Sequence, residues 1–331
     1  MKTVFITGAN GRFGQAAVAA FAKAGWHVLA QVRRAPVGSW PAGVQPVAVS
    51  MGDTDALVRA AAGTSVVVHA LNPAYARWDT EAMPLLHQGL AVAQALDATF
   101  MLPGNVYNFG SQLPRSLRED TPQVCDHPKA RIRIAMEDEM RRAAQEAQQQ
   151  GRGLRCVVMR AGDFFGCGSG SWFDLSVVKD IGRGKLAYPG PLDLPHAWAY
   201  LPDLAAAFER VACAPPAAPF ETLHFAGHTV TGHQLLAGVE AAATELGLRP
   251  PKGFRVGGMP WSFIRTVGLV YPMWRELARM SYLWLRPHEL DGRVLESRVS
   301  LPAATPLVTA LRQSLQDLGI GAVHSSKHAR A

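Results

Sequence analysis

Apolar and polar positions along the first 160 residues switch repeatedly between two periods. Lys2–Thr7 is a run of β-formers, and Arg12–Ala24 is Ala-rich with apolar residues at helical spacing, ending at Gly25. Trp26–Val32 and Gln45–Val49 read as the second and third strands, and Asp53 and Asp55 open a helix that runs to about Ala62. Ser65–Ala70, dominated by Val, suits a strand buried on both faces. Ala82–Asp97 predicts a helix and Thr99–Leu102 a strand; a Gly-, Pro- and Asn-rich loop then leads to a long charged helix from about Pro128 to Gln150. Leu154–Met159 is the sixth strand. Such alternation predicts a parallel sheet with helices on both faces.

Beyond Arg160 the pattern loosens. Ala161–Ser171 holds four glycines and Tyr188–Tyr200 three prolines, so both read as loops above the carboxyl ends of the strands. Pro202–Cys213 is helical, and Thr222–Ala226 fits a further strand of the same sheet. Thr231–Gly319 is mostly helical, with stops at Pro250–Pro251, Pro260, Pro287 and Pro302. In Met273–Trp284 the residues Trp274, Leu277, Met280, Ser281 and Trp284 share one helical face, read as core of a C-terminal lobe, with a lid or oligomer contact as the second reading.

Composition narrows the class without naming a reaction. Hydrophobic residues at 48% and charged residues at 18% suit a soluble globular enzyme. The net charge of +7 suits an anionic ligand but is not gathered into a block, so no nucleic-acid partner is expected. The basic cluster Lys327–Arg330 reads as a frayed tail. Cys125, Cys156, Cys167 and Cys213 are scattered, with no His at ligand spacing, which predicts neither a structural metal nor a disulfide. Met1–Thr7 leads straight into a glycine turn and reads as a strand, not a signal peptide. Four charges (Arg265, Arg275, Glu276, Arg279) interrupt the apolar stretch Met259–Leu285 and argue for amphipathic helices, not a bilayer span. A cytoplasmic monomer or homodimer with no membrane partner is the expectation.

Chemistry enters at Thr7-Gly8-Ala9-Asn10-Gly11-Arg12-Phe13-Gly14, three glycines spaced Gly-x-x-Gly-x-x-Gly between a predicted strand and a predicted helix. The first allows a tight turn, the second lets backbone approach a diphosphate, and the third lets helix and strand pack closely. Helix-terminal N–H groups would then face the phosphates. Gly8, Asn10, Gly11, Arg12, Phe13 and Gly14 are therefore the expected dinucleotide contacts. At the end of the second strand an acid would read a ribose 2′-hydroxyl, whereas Arg pairs with a 2′-phosphate. Arg33 and Arg34 stand there, with no acid until Asp53, so NADP is expected over NAD. The bland alternative is two solvated surface arginines.

These residues resemble the extended and atypical short-chain dehydrogenase/reductase superfamily, which includes nucleotide-sugar epimerases and dehydratases. The likeness rests on TGANGRFG at Thr7–Gly14, Met51-Gly52-Asp53, Val67-Val68-His69-Ala70, and Tyr200-Leu201-Pro202-Asp203-Leu204-Ala205. It implies a Rossmann-type doubly wound sheet with a smaller, mostly helical C-terminal substrate lobe. Residues 1–160 would form the NAD(P)-binding domain, rejoined by about 198–230. The substrate lobe would take 161–197 and 231–325, leaving 326–331 as a tail. It also implies Asp53 near the adenine, and His69, Ala70 and Leu71 under the nicotinamide ribose. The superfamily's Tyr-x-x-x-Lys is absent: placed against Glu137, the motif reads Lys129-Ala-Arg-Ile-Arg133. The upstream Ser is replaced by Pro103-Gly104-Asn105-Val106-Tyr107, a pattern similar to the atypical subgroup.

Tyr107, Lys129, Arg133 and His196 remain as candidate catalytic groups. Tyr107 could donate a proton, Lys129 could do so if its pKa fell, Arg133 could hold a ribose or phosphate by charge, and Asn105 could orient a carbonyl oxygen beside the cofactor. His196 is the best remaining candidate for an acid or base, because imidazole is the one side-chain type among them that suits proton transfer near neutrality. Each also has a structural reading: a loop aromatic for Tyr107, a solvated first-turn residue for Lys129, a core imidazole for His69 and His196. Phe164, Trp198 and Tyr200 supply an aromatic wall for a small organic substrate. The sequence thus points to an NAD(P)-dependent oxidoreductase or epimerase/dehydratase-like enzyme on a small carbonyl, hydroxyl or sugar-like substrate. The rival is a catalytically degenerate NADP-binding sensor or scaffold.

Overall fold

The computed structural model describes residues 2–34, 40–214 and 216–321. The expected tail 326–331, the last residues assigned to the substrate lobe and the Lys327–Arg330 cluster lie outside them.

The chain enters as β1 (Thr3–Thr7), turns into α1 (Arg12–Lys23), and continues through β2 (His27–Gln31), β3 (Val44–Val47), α2 (Thr54–Ala60) and β4 (Val66–His69). Then follow α3 (Trp78–Ala95), β5 (Thr99–Gly104), α4 (Pro128–Gln149) and β6 (Arg155–Ala161). Two short strands, β7 (Asp163–Phe165) and β8 (Pro195–Tyr200), precede α5 (Leu201–Ala212), β9 (Phe220–Phe225) and β10 (His228–Thr231). The remainder is mostly helical, with short strands at Arg255–Gly258 and Glu289–Leu290: α6 (Gly232–Glu245), α7 (Trp261–Gly268), α8 (Pro272–Arg279), α9 (Tyr282–Leu285), α10 (Arg293–Arg298) and α11 (Leu307–Asp317).

The main sheet has seven parallel strands in the order β9-β6-β5-β4-β1-β2-β3. The order reverses at β1, so a crevice opens between the carboxyl ends of β1 and β4, where doubly wound folds take their ligands. Val66, Val67 and Val68 are fully buried because α1 and α5 cover one face while α2, α3 and α4 cover the other. The Rossmann-type sheet and helical C-terminal lobe expected from the sequence are both present.

Two expectations from the looser half need correction. The Pro-rich stretch before Tyr200 is not loop throughout: Lys185–Tyr188 pairs with Arg255–Gly258, and β8 pairs with β7 and β10 in a three-stranded sheet. In β8 the alternation of His196, Trp198 and Tyr200 with Ala197 and Ala199 is a strand period confined between prolines at the ends. The face assigned to the lobe core in Met273–Trp284 is split. Met280, Ser281 and Trp284 are buried, whereas Trp274 is exposed.

A buried ion pair ties α4 to the sheet. Arg160 on β6 donates from Nη2 to Glu137 on α4 at 2.6 Å and from Nε at 3.1 Å. Its Nη1 lies 3.4 Å from the His224 Nε2 on β9, and the guanidinium stacks over Phe109. His224 donates Nδ1–H to the Leu117 carbonyl, which leaves Nε2 as an acceptor for the arginine. Arg160→Met would strand a carboxylate in the core with the Gln123 amide as its remaining hydrogen-bond donor and the charge of Arg133 nearby. A loss of about 3–5 kcal/mol in unfolding free energy is expected, read as a lower urea midpoint. An unchanged midpoint would show that water reaches Glu137.

Candidate functional site

The glycine turn sits at the head of α1 as its residue spacing requires. Gly8 has φ +67°, and a Cβ there would lie 2.9 Å from Leu71 Cδ2, so β1 and the segment after β4 approach too closely for a side chain. A Cβ on Gly14 would fall 2.3 Å from the Gly8 carbonyl oxygen and 2.8 Å from Ala9 Cα, so helix and strand touch backbone to backbone. Asn10 and Gly11 are exposed. The amides of Arg12 and Phe13 open α1 after the Gly11 cap and have no acceptor four residues back within the helix. A diphosphate fits this cradle through those amides and the helix dipole. The Gly8 amide is not part of it, because the Gln31 side chain accepts its hydrogen at 3.0 Å while donating to Val49 O.

The other expected contacts divide by where their side chains go. Arg33 and Arg34 are exposed at the end of β2. The Arg12 guanidinium reaches across to the second half of the chain, donating to the carbonyls of Phe164 and Gly166 at 3.0–3.3 Å, so only its backbone faces the cradle. Burial draws its pKa down, against the opposing charge of Asp174. Phe13 is buried against Phe208. Asp53 caps α2, accepting from the Ala56 amide at 3.0 Å. His69 is turned into the core, its Nδ1 3.2 Å from Thr7 Oγ1 and its ring against Gly89; burial pushes its pKa down to about 3. It can serve the crevice through its backbone alone. Ala70 and Leu71 line the crevice half-buried, and Asn105 turns back to accept the Tyr107 amide at 3.1 Å.

Beyond β5 the candidate catalytic groups gather in a buried aromatic box. Lys129 is almost fully buried, donating to the Tyr75 carbonyl at 3.0 Å and pairing with Glu276 of α8 at 3.4 Å. Its ammonium lies over the rings of Tyr75 and Trp78. Burial lowers its pKa while Glu276 pulls it back up. Arg133 stacks over Trp78 and donates to Pro103 O at 3.4 Å, leaving its buried Nε without a partner. Burial raises the phenols of Tyr107 and Tyr75 well above their ordinary range, so both stay protonated and can donate but not accept a proton near neutrality. His127 caps α4, accepting the Ala130 amide at Nδ1. It therefore carries its proton on Nε2 and donates to the Tyr282 hydroxyl at 3.0 Å.

Opposite this box stands a pair that the sequence half supplied. His196 Nε2 lies 2.8 Å from Asp163 Oδ2, joining β8 to the start of β7. The imidazole is buried, stacked on Trp284 at 4.2 Å and edge-on to His288 at 4.5 Å. Its Nδ1 has no hydrogen-bond partner, nor do the indole nitrogens of Trp198 and Trp284 beside it. Asp163 is close enough to Tyr107, Tyr75, Tyr188 and Tyr282 for its charge to help raise all four phenols. A carboxylate on one imidazole nitrogen and a bare second nitrogen make an acid/base pair by type.

Comparison with known proteins places this architecture. Residues 1–99 match the NmrA-like family. No curated protein matches the sequence. A candidate epimerase from Burkholderia cenocepacia J2315 is 21% identical with a TM-score of 0.71, over 95% of this chain and 97% of that one. WbmH from Bordetella bronchiseptica, solved with NAD+, is 18% identical with a TM-score of 0.70, covering 96% and 98%. The human epimerase family protein SDR39U1, solved with NADPH, is 18% identical with a TM-score of 0.65, covering 96% and 100%. The chain shares the Rossmann-type fold of these proteins. The first two turns of α4 hold Lys129 and Arg133, the positions at which the sequence resemblance implies Tyr and Lys.

Phe164 is half-buried against the α1 side of the core, Trp198 is fully buried, and Tyr200 packs on Phe165 and Gly166. Of the three expected wall residues, Trp198 stands next to His196. Sequence reasoning missed Asp163 as its partner, and also Tyr75, Trp78, Glu276, Tyr282 and Trp284. One signal was available: Asp163 and His196 each sit in a short segment rich in aromatic residues. Among the described residues no helix is long and apolar enough to cross a membrane.

Proposed function

We propose that this chain is an NADP(H)-dependent oxidoreductase or epimerase/dehydratase-like enzyme acting on a small carbonyl- or hydroxyl-bearing substrate. The observation that carries the reading is the buried Asp163–His196 pair with its bare Nδ1, whose carboxylate lies close enough to Tyr107 and Tyr75 to act on their phenols. With Nε2–H donated to Asp163, Nδ1 holds a lone pair that can take a hydroxyl proton, or return one to a forming alkoxide. A bound nicotinamide would supply or accept the hydride. Tyr107, protonated, would donate a hydrogen bond to the substrate oxygen, and Arg133 would hold a ribose or carbonyl oxygen by charge. Lys129 is committed to Glu276 and Tyr75, which makes it a positioning residue. Arg12 and Phe13 would hold the diphosphate through their amides.

Arg33 and Arg34 would read the 2′-phosphate. Replacing both with Ala is expected to weaken NADPH binding about tenfold or more while leaving NADH nearly unchanged, as for a lost charge-assisted contact. Fluorescence titration measures it; equal affinities in the wild type would end the NADP assignment. Turnover is tested with aldehydes, ketones and nucleotide sugars, followed at the NADPH absorbance. The sensor reading is favoured by the commitment of Lys129 to Glu276 and by the missing Tyr-x-x-x-Lys. Tight NADPH binding with no turnover of any substrate would decide for it.

A further inference from the structure

Residues 254–286 contain five arginines (255, 265, 275, 279 and 286) and a single acid, Glu276. That acid is turned inward, pairing with Lys129 at 3.4 Å and with Arg279 at 2.6 Å. Helices α7 and α8 fold back on each other tightly enough that a Cβ on Gly268 would lie 2.9 Å from the Arg275 amide. The Arg275 guanidinium fixes the bend by donating to the Gly268 and Leu269 carbonyls at 3.0 Å each. At that apex three successive apolar residues stand in solvent: Leu269 is 76% exposed, Val270 74% and Tyr271 60%. Phe263, Met273 and Trp274 extend the exposed apolar surface down both helices. An apolar run of this kind costs free energy in water and is not filler for the lobe core, since Ile264, Met280 and Leu283 already face inward.

We infer that the α7–α8 hairpin docks this protein onto an anionic lipid surface, with Leu269, Val270 and Tyr271 entering the headgroup–acyl boundary and the exposed Arg265 and Arg279 meeting lipid phosphates. The chemistry selects this occupant. Apolar tip residues flanked by Tyr, Trp and Arg match an interfacial element, and nothing in the hairpin spans the bilayer. A second copy of the chain is disfavoured, because a two-fold contact sets the same patch against itself and brings one arginine rim against the other. The hairpin also holds Glu276 against Lys129, so the docked element is the one that closes the aromatic box.

The test is co-sedimentation of the full chain with phosphatidylcholine vesicles, with and without phosphatidylglycerol. Expected is binding that needs the anionic lipid, weakens as salt rises, and falls about tenfold or more in Leu269→Asp/Val270→Asp. Circular dichroism of that variant should match the wild type, since both side chains are exposed. Three results would overturn the inference: no binding to anionic vesicles at low salt, binding undiminished in the double variant, or self-association without vesicle binding that the double variant abolishes. The last would make the patch an interface between copies. None of these outcomes depends on turnover or on coenzyme binding.

Discussion

His196→Gln is expected to lower kcat by about 10²–10⁴-fold, the usual worth of a positioned acid or base, with NADPH affinity unchanged. The residue touches none of the groups proposed to hold the coenzyme. Its ring lies between Trp284 and the edge of His288, and its one polar contact is Asp163. Asp163→Asn should act through the imidazole. An amide placed against Nε2 can accept its hydrogen only through Oδ1, so the tautomer with a bare Nδ1 is no longer enforced, and kcat falls while KM moves little. The split between kcat and KM separates this from a structural role. If both variants keep wild-type kcat, or if both lose NADPH affinity in proportion to activity, the pair is structural and the acid/base assignment fails.

The sheet was legible in the chain and this pair was not, for one physical reason. Val66-Val67-Val68 or the spacing of Phe13, Ala17 and Phe21 encodes burial locally, because a strand or helix shows its partner face in its own period. The glycine turn is equally local. Asp163 and His196 are brought within 2.8 Å by the pairing of β7 with β8, and Lys129 meets Glu276 across 147 residues (276 − 129). Neither approach leaves a trace in the intervening sequence. Prolines at both ends of β8 hid a true alternation. In α8 the period was read correctly as amphipathic, but period alone does not say whether the apolar face meets protein or solvent. Lys129 and Arg133 show the same gap. Their register on α4 was fixed by sequence, yet only the fold reveals that both cations are roofed by Trp78.

Acid should unfold this protein steeply, through three imidazoles held neutral in the interior. His69 is pushed down to about 3 by burial and then the charge of Arg133; His288 to about 3 by burial and then His196; His224 to about 4 by burial and then Arg160. Each is spent on a neutral-state contact: His69 on Thr7, His288 on the Arg286 carbonyl, His224 on the Leu117 carbonyl and Arg160. The sign follows from proton counts. Above the unfolded value of about 6.5 neither state binds a proton at these sites, and stability is undiminished. Below it the unfolded chain takes up three protons that the folded chain refuses until pH about 4 to 3. Stability therefore falls as pH falls, by up to about 4 kcal/mol per unit once all three sites are engaged. Against a typical total of about 5–15 kcal/mol, such a slope unfolds the chain before the native histidines titrate. Urea midpoints measured downward from neutrality should drop along this course, and His224→Gln, which keeps an acceptor for Arg160 and takes up no proton in either state, should flatten it by about a third. A stability that stays level from neutrality to pH 5 would mean that these rings are already protonated in the folded chain, and the buried contacts assigned to them would have to be withdrawn.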